Sequence, residues 1–207
     1  NLLLTNAMSL SMNSLMKNGS KINLMILRNS DSFNDRLIYD YKDDQLGVAM
    51  YSSRNTFYDI SWGSDNRQKN SFYIGYARFD NKINDWGYNL RYRHVYKPEY
   101  NMKLSFHYEY TKSKEKYHWL DIIGTNSPKY IFCNANKRLH RYRVRFEAFL
   151  NKNVTWQNYI EINQLKNQFT NWMELNDGER YPEPLSGGNY YAEQGEDPGL
   201  NQYPNPN

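Results

Sequence analysis

Apolar and polar residues alternate strictly along the segment MKLSFHYEYT, from Met102 to Thr111. One phase contains Met102, Leu104, Phe106, Tyr108 and Tyr110, and the other contains Lys103, Ser105, His107, Glu109 and Thr111. Because successive side chains of a β-strand point to opposite sides of the sheet, this alternation predicts a two-faced strand. Its length of about ten residues is that of a tilted strand crossing a membrane.

The same alternation recurs before and after that segment. The clear repeats are Tyr88–Tyr96, His140–Leu150 and Val154–Ile162, and weaker ones lie at Leu10, Ile22–Ile26, Leu37–Tyr41, Val48–Met50, Tyr58–Trp62 and Phe72–Tyr76. A helical period is present only marginally, over Leu2–Met16. About a dozen short strands separated by turns are typical of a meander or a barrel. The sequence therefore predicts an all-β protein, an antiparallel up-and-down meander that forms a transmembrane β-barrel or a large part of one.

Turn-forming residues separate the predicted strands, at residues 18–19, 42–44, 64–66, 81–85, 98–101 and 151–153. After Leu175 the composition changes, and residues 176–207 hold five of the seven prolines. Because proline cannot donate to a strand ladder, we expect strands and hairpins in residues 1–175 and a Pro- and Gly-rich loop or tail in residues 176–207. The chain begins at Asn1 without a secretory signal, which indicates a mature product or a fragment of a longer protein.

Composition leaves two architectures open. A mean hydropathy of −0.95 and a hydrophobic content of 39% are values of a polar protein. Only every second residue of a barrel strand meets lipid, however, so a polar average is compatible with a membrane barrel. A soluble antiparallel sandwich alternates in the same way. An aromatic content of 16%, concentrated in the apolar phase, favours the barrel.

Aromatic residues near the predicted strand ends support that preference. Tyr and Trp combine an apolar ring with a polar tip, and they concentrate at the interfaces of membranes. The candidates for such an aromatic belt are Trp62, Trp86, Tyr96, Tyr100, Trp119 and Trp156.

The polar phase of the strands is densely charged. The candidates for charged side chains that face a barrel lumen are Arg91, Arg93, Glu109, Arg141, Arg143, Arg145, Glu147 and Glu161. Rings of charged side chains bind solutes in pores, and in this interpretation the arginines line a lumen and bind anionic solutes or sugars. Alternatively, they pair with acids on neighbouring strands, and each such pair stabilises a sheet by about 0.2–1 kcal/mol.

The sequence contains no recognisable catalytic or metal-binding motif. Cys133 is the single cysteine, and the four histidines lack the spacing of a zinc site. The formal charge of +4 is spread among interspersed charges, which argues against nucleic acid as a partner. Paired carboxylates of a glycoside hydrolase remain a minor alternative for Glu109, Glu147 and Glu161. We therefore expect a protein without catalysis, metal ion or cofactor.

The run YIFCNANKRLHRYRVRFEAFLNKNVTWQNYIEINQ, from Tyr130 to Gln164, resembles a pattern in one family of outer-membrane proteins. Tyr130 and Phe132 match its Y-x-F element, Arg143 or Arg145 its central arginine, and residues 154–164 its glutamine-ended strand. Residues 169–175, FTNWMEL, resemble its next aromatic segment. The resemblance covers about residues 86–178. Leu165 stands where that family usually has proline.

The family is the barrel domain of unknown function 5916 of Bacteroidetes, which usually follows a carbohydrate-binding domain similar to family 9 modules. The resemblance implies a bacterial outer-membrane location and membrane lipid as a partner, with outer-membrane or surface proteins and glycans as further partners. It implies no reaction. We therefore expect an outer-membrane barrel segment that serves transport, docking or surface display. The alternative is a soluble carbohydrate-binding β-sandwich or an accessory module of a polysaccharide-degrading system.

Overall fold

The computed structural model describes residues 7–34, 39–40, 45–46, 50–123, 129–175 and 183–184. The strands in chain order are β1 (Ala7–Leu15), β2 (Lys21–Asn29), β3 (Ser32–Asn34), β4 (Tyr39–Asp40), β5 (Gln45–Leu46), β6 (Met50–Ser52), β7 (Asn55–Gly63), β8 (Asn70–Asn81), β9 (Trp86–Tyr96), β10 (Met102–Ile123), β11 (Lys129–Asn151), β12 (Val154–Leu175) and β13 (Glu183–Pro184). Over these residues, no helix has the length and apolarity needed to cross a membrane.

Nine strands form one sheet in the order β1-β2-β7-β8-β9-β10-β11-β12-β13, and all neighbours are antiparallel. The predicted all-β, up-and-down meander is therefore confirmed. Two short ribbons, β3-β6 and β4-β5, lie between β2 and β7 in the chain. The sheet is open in the described part of the chain: β1 forms one edge, and β13 pairs only with Met173 and Glu174 of β12.

Several predictions fall partly on undescribed residues. Only Tyr39 and Asp40 of the weak segment Leu37–Tyr41, and only Met50 of Val48–Met50, are described as strand. The expected loop or tail at residues 176–207 lies outside the described residues except for β13. The marginal helical period over Leu2–Met16 does not produce a helix where the chain is described, since residues 7–15 form β1.

Short turns join four hairpins at one edge of the sheet, which we call the lower edge. These turns are residues 16–20, 64–69, 97–101 and 152–153, and four of the predicted turn signals fall in them. Gly19 has a φ of 81°, a left-handed conformation that glycine adopts without a steric cost. At the opposite, upper edge, the Asn81 side chain accepts hydrogen bonds from the backbone N–H groups of Ile83 and Asp85, at 3.1 and 2.8 Å.

β10, β11 and β12 are much longer than predicted, with 22, 23 and 22 residues. At about 3.3 Å per residue, each extends to about 70 Å. The apolar alternation of Met102–Thr111 ends because residues 112–116 are all polar, and β-bulges follow between Glu115 and His118 and between Trp119 and Asp121. A bulge inserts an extra residue and shifts the phase of the pattern.

One side of the sheet carries exposed apolar residues on all eight long strands. Direct partners on neighbouring strands point to the same side, and Leu24, Ile60 and Tyr76 are such a series. We call this surface the apolar band; its exposed members are Met8, Leu10, Met12, Ile26, Tyr58, Ile60, Trp62, Phe72, Ile74, Leu90, Leu104, Phe106, Tyr142, Val144, Trp156, Ile160 and Ile162. Leu10 is 71% exposed and Ile160 is 61% exposed.

Above the band, β10, β11 and β12 continue alone as what we call the upper extension, residues 114–123, 129–137 and 167–175. Here apolar side chains on both sides of the sheet are buried. Phe132 and Met173 form one cluster, and Ile131, Cys133, Ala135, Phe169 and Trp172 form another. Three consecutive residues, 131–133, are fully buried although they point alternately to the two sides. The remainder of the eight long strands is called the lower sheet.

Candidate functional site: the charged face of the sheet

Strand register brings the eight predicted lumen residues to one side of the lower sheet, opposite the apolar band. β9, β10 and β11 align Arg91, Glu109 and Arg141 in one row. The next row aligns Arg93, His107 and Arg143. We call this side the charged face, and its charged or titratable members are Asp59, Arg91, Arg93, Lys103, His107, Glu109, Arg141, Arg143, Arg145, Glu147 and Glu161.

Glu109 is the centre of an ion-pair network on this face. Its Oε2 lies 3.2 Å from Nη2 of Arg143 and 3.4 Å from Nη1 of Arg141. Its Oε1 accepts a hydrogen bond of 2.8 Å from Nδ2 of Asn89. Glu161 approaches the Nε atoms of Arg141 and Arg143 at 3.6 and 3.9 Å. These two arginines therefore pair with acids on both neighbouring strands, as one of the two interpretations of the sequence expects.

A second network lies toward the lower edge, around Glu147. Its carboxylate oxygens lie 2.9 Å from Nζ of Lys103 and 2.8 Å from Nη2 of Arg145. The same Nη2 atom of Arg145 donates to Oε1 of Gln157 at 3.3 Å. Glu147 is thus shared between two cations on two strands.

Arg91 pairs across a longer stretch of the sheet, with Asp59 of β7. It reaches this partner over Gly75, its direct neighbour on β8. A Cβ atom at Gly75 would lie 2.9 Å from Nη2 of Arg91 and 3.0 Å from the hydroxyl of Tyr73. The absence of a side chain at this position leaves room for the guanidinium.

Arg93 has no acidic partner within 4.0 Å among the described residues. Its guanidinium instead lies 5.7 Å from the ring centroid of Tyr73, and that of Arg91 lies 5.9 Å from the same ring. The Nε atoms of Arg91 and Arg143 are buried and find no hydrogen-bond acceptor in the described part of the chain. Positive charge and donor capacity are therefore in excess at this point.

A shallow pocket of about 170 Å³ opens among these groups, and the side chains that define it are Tyr73, Arg91, Arg93, His107, Glu109 and Arg143. Guanidinium groups present several N–H donors in a plane, which matches carboxylate, sulfate and phosphate groups. The charged face can thus hold water and small anions, while its paired acids limit the net charge that it presents.

The aromatic belt candidates occupy several levels of the sheet. Trp62, Tyr96 and Trp156 lie in the lower parts of β7, β9 and β12, and Tyr100 lies in a lower turn with a fully exposed side chain. Trp86 begins β9 at the upper edge. These five residues fall around the rim of the apolar band.

Trp119 does not share that rim. It lies in the upper extension, where it packs against the buried pair Phe132 and Met173. Trp119 lies between the two bulges of β10, beyond the upper limit of the apolar band. It therefore belongs to a local core. Its position is therefore that of a packing residue.

The upper extension also holds the cluster Glu115, His118 and Lys137. Oε2 of Glu115 lies 2.8 Å from Nδ1 of His118 and 3.0 Å from Nζ of Lys137. Burial raises the pKa of Glu115, but hydrogen bonds and charges from His118 and Lys137 outweigh burial and lower that pKa to about 2. The carboxylate is therefore held in its charged form.

Cys133 stands opposite His118 in the ladder, an arrangement that invites comparison with a thiol–imidazole pair. Burial raises the pKa of Cys133 to about 12. The reactive species of cysteine is the thiolate, so Cys133 is an inert packing residue at neutral pH. Among the described residues, no group of three His, Cys, Asp or Glu side chains is arranged to hold a metal ion.

Sequence reasoning omitted several members of the charged face. Asp59, Tyr73 and Gly75 belong to strands whose alternation is weak, and their neighbours in space are more than ten residues away in the chain. Their phase within Tyr58–Trp62 and Phe72–Tyr76 was the available signal, because it puts Asp59 and Tyr73 opposite the apolar residues.

Comparison with known proteins adds no relative: no family model, curated protein or solved structure matches this chain. The resemblance of Tyr130–Gln164 to the barrel family of Bacteroidetes therefore stays a prediction.

Proposed function

We propose that this chain forms a membrane-spanning surface of a β-barrel in a bacterial outer membrane, with a role in transport, docking or surface display and no catalysis of its own. In this proposal the apolar band meets lipid and the charged face lines a water-filled interior. The observation that carries the proposal is the band itself, which runs uncovered across all eight long strands. Soluble monomers rarely expose apolar patches beyond a few hundred Å².

The height of the band supports the same proposal. On β12, the apolar side chains run from Trp156 to Ile162, and the first cation on that side is Lys166. On β10 the corresponding stretch runs from Met102 to Lys112. From Trp156 to Lys166 and from Met102 to Lys112 the chain advances ten residues, which is the length of a tilted strand that crosses a bilayer.

The connections support it as well. Outer-membrane barrels have short turns on one side and longer loops on the other. The four lower turns are short, whereas the connection from β2 to β7 spans residues 30–54 and the upper extension rises well above the band. This asymmetry favours an orientation with the upper edge toward the cell exterior.

The alternative is a soluble sandwich, which predicts that the residues of the apolar band are buried. A sandwich buries the apolar side of one sheet against a second sheet. The described strands form one large sheet and two short ribbons, and Ile60, in the middle of the band, is 51% exposed. The carboxylates of Glu109, Glu147 and Glu161 are all engaged with arginine or lysine, which favours a role without hydrolysis.

Insertion into lipid vesicles tests the proposal, with arginine placed at two positions of β12. Ile160 lies in the middle of the apolar band and is 61% exposed, whereas Thr155 is exposed on the opposite side. An arginine at the bilayer midplane costs about 2–4 kcal/mol. We therefore expect Ile160→Arg to reduce the fraction that floats with phosphatidylcholine vesicles by about thirtyfold or more, while Thr155→Arg inserts like the unmodified chain.

The readout is flotation after alkaline extraction, because the extraction removes protein that is only adsorbed to the vesicles. A chain that stays soluble without detergent and never floats with vesicles would overturn the proposal. Equal losses for Ile160→Arg and Thr155→Arg would also overturn it, because the two sides of a barrel wall meet different media.

A further inference from the structure

Three cations stand side by side on the apolar side of the sheet, at its upper limit. Lys112 of β10 is directly opposite Arg138 of β11, and Arg138 is directly opposite Lys166 of β12. We call these three residues the basic row. Arg138 and Lys166 are exposed, and Lys112 is half-buried.

The row has no compensating acid. None of its three residues forms an ion pair within the described residues, and the direct partners one step above it, Lys114, Asn136 and Gln168, and below it, Tyr110, His140 and Gln164, include no carboxylate. Like charges directly opposite each other destabilise a sheet. On the charged face, by contrast, Arg141 and Arg143 alternate with Glu109 and Glu161. A row of cations without nearby carboxylates favours the binding of a ligand that supplies negative charge.

The row occupies one level relative to the apolar band. It lies about ten residues above the lower ends of β10, β11 and β12, which is one membrane-spanning strand length. Arg78 continues the same level on β8 through Tyr88, but its charge is already paired with Asp80 at 2.8 Å. Among the described residues of this one row, the cations without an acidic partner thus lie on β10, β11 and β12.

An aromatic group borders the row at the same height. Nζ of Lys112 lies 5.4 Å from the ring centroid of Trp86, and Lys112 is directly opposite Tyr88. Tryptophan and tyrosine are the residues that sit at the headgroup level of a membrane. The basic row therefore combines a cationic surface with neighbours suited to the interface of a bilayer.

We propose that the basic row binds the phosphate of an anionic lipid headgroup in the leaflet on the upper side of the membrane. Arginine supplies a planar pair of donors and lysine a mobile point charge, and both suit phosphate. The acyl chains of the same lipid would lie along the apolar band directly below, which is why a lipid is favoured over a free anion. The inference rests on the proposed membrane insertion, because only insertion brings the row to the headgroup level.

The test compares flotation with vesicles of pure phosphatidylcholine and with vesicles that also contain phosphatidic acid. The variant Lys112→Gln/Arg138→Gln/Lys166→Gln removes the row. Each cation near an anionic surface contributes about fivefold in affinity. We expect the preference of the unmodified chain for phosphatidic acid to fall by roughly tenfold to a hundredfold in this variant.

The matched control is Lys17→Gln/Lys21→Gln/Lys152→Gln, which removes the same charge at the lower edge. We expect it to lose a much smaller part of the preference for phosphatidic acid, because Lys17 and Lys152 lie apart in two turns and Lys21 lies on the charged face. Far-UV circular dichroism of both variants in neutral detergent checks folding. The row variant is expected to unfold at the same or a higher urea concentration than the unmodified chain, because it loses the repulsion within the row as well as the contact of Lys112 with Trp86.

The outcomes separate this inference from the proposed function. Insertion into both kinds of vesicle without any lipid preference overturns the inference and leaves the barrel intact. Equal losses of preference in the row variant and its control also overturn it, because net charge alone would then explain the binding. Failure to insert into either vesicle removes the proposed function, and the inference with it.

Discussion

The three strands of the upper extension also run through the lower sheet, yet apolar residues are buried in the first region and exposed in the second. In the lower sheet, Phe106 of β10 remains 37% exposed, whereas Phe132 of β11 in the upper extension is fully buried. Both residues lie in antiparallel pairs, although Phe132 lies beside a register shift on each of its ladders. Strand formation and alternation therefore do not decide burial here; the surroundings of each region do.

The two regions differ in what surrounds the two sides of each strand. In the upper extension both sides are covered, so residues 131–133 are apolar in succession and alternation disappears. In the lower sheet one side carries ion pairs and the other carries the uncovered apolar band. Continuous apolar runs are typical of strands buried on both faces, whereas alternation is typical of strands between two different media.

The largest expected effect comes from truncating one phenylalanine in each region. Phe132→Ala empties a fully buried site and is expected to lower the free energy of unfolding by about 3–5 kcal/mol. Phe106→Ala removes a partly exposed ring and is expected to cost less than half as much in detergent. Urea unfolding followed by tryptophan fluorescence measures both. Equal losses would break the distinction between the two regions.

Cys133 provides a probe that is specific to the upper extension. It is the single cysteine of the chain, it is fully buried, and burial raises its pKa to about 12. Its labelling by a thiol reagent therefore requires local opening. Phe132→Ala is expected to accelerate this labelling, and Phe106→Ala is expected to leave it nearly unchanged.

The sequence predicts the lower sheet better than the upper extension, for a physical reason. Met102–Thr111 lies between an apolar side and a charged side, so its phase is visible and puts Glu109 on the side that Arg91 and Arg141 also occupy. From Glu115 to Asp121 the bulges change the phase, and the continuation of β10 is hidden. The sequence therefore predicts Trp119 in an aromatic belt, whereas the residue packs against Phe132.

The charged face was only partly predictable as well. Alternation fixes which side of a strand a residue occupies, but it does not fix which strands are neighbours. Arg91 finds its acid in Asp59, two strands away in the sheet, and it does so across Gly75. This pairing depends on the order of strands and on a missing side chain, and neither is contained in the pattern of a single segment.

Acid pH is expected to destabilise the upper extension through Glu115. Its pKa in the folded chain, about 2, is below the ordinary value of 4.5. Its stabilising contribution is therefore complete above about pH 4.5 and is lost as the pH falls toward 2. Allowing for partial solvent exposure, this contribution amounts to about 2 kcal/mol.

Between pH 7 and pH 2.5 the variant Glu115→Gln is expected to lose about 2 kcal/mol less stability than the unmodified chain. Urea unfolding at the two pH values measures the difference, and the rate of Cys133 labelling at each pH assigns it to the upper extension after correction for the reagent's own pH dependence. Glu99→Gln, in an exposed lower turn, is the matched control and is expected to keep the full pH dependence. An unchanged pH dependence in Glu115→Gln contradicts the prediction.

The smallest effect is expected at the lower edge, where two turns meet. Gly19 has a φ of 81°, and a Cβ atom there would lie 2.6 Å from the carboxyl carbon of Asp65. Asp65 is itself fixed, because hydrogen bonds from the side chain and backbone of Arg67 lower its pKa to about 2. Gly19→Ala therefore combines an unfavourable backbone conformation with a steric conflict, at an expected cost of about 1–2 kcal/mol.

Gly63→Ala is the matched control, because a Cβ atom at Gly63 would meet its nearest neighbours at 3.7 and 3.8 Å, in ordinary contact. Its expected cost is below about 1 kcal/mol. The informative measurement is again the labelling of Cys133, which lies at the opposite end of the sheet. If Gly19→Ala lowers the urea midpoint but leaves the labelling rate unchanged, the upper extension opens without the lower sheet. If labelling accelerates in proportion to the loss of stability, the two regions unfold as one cooperative unit. Their different burial then reflects the surroundings of each region and not a separate stability.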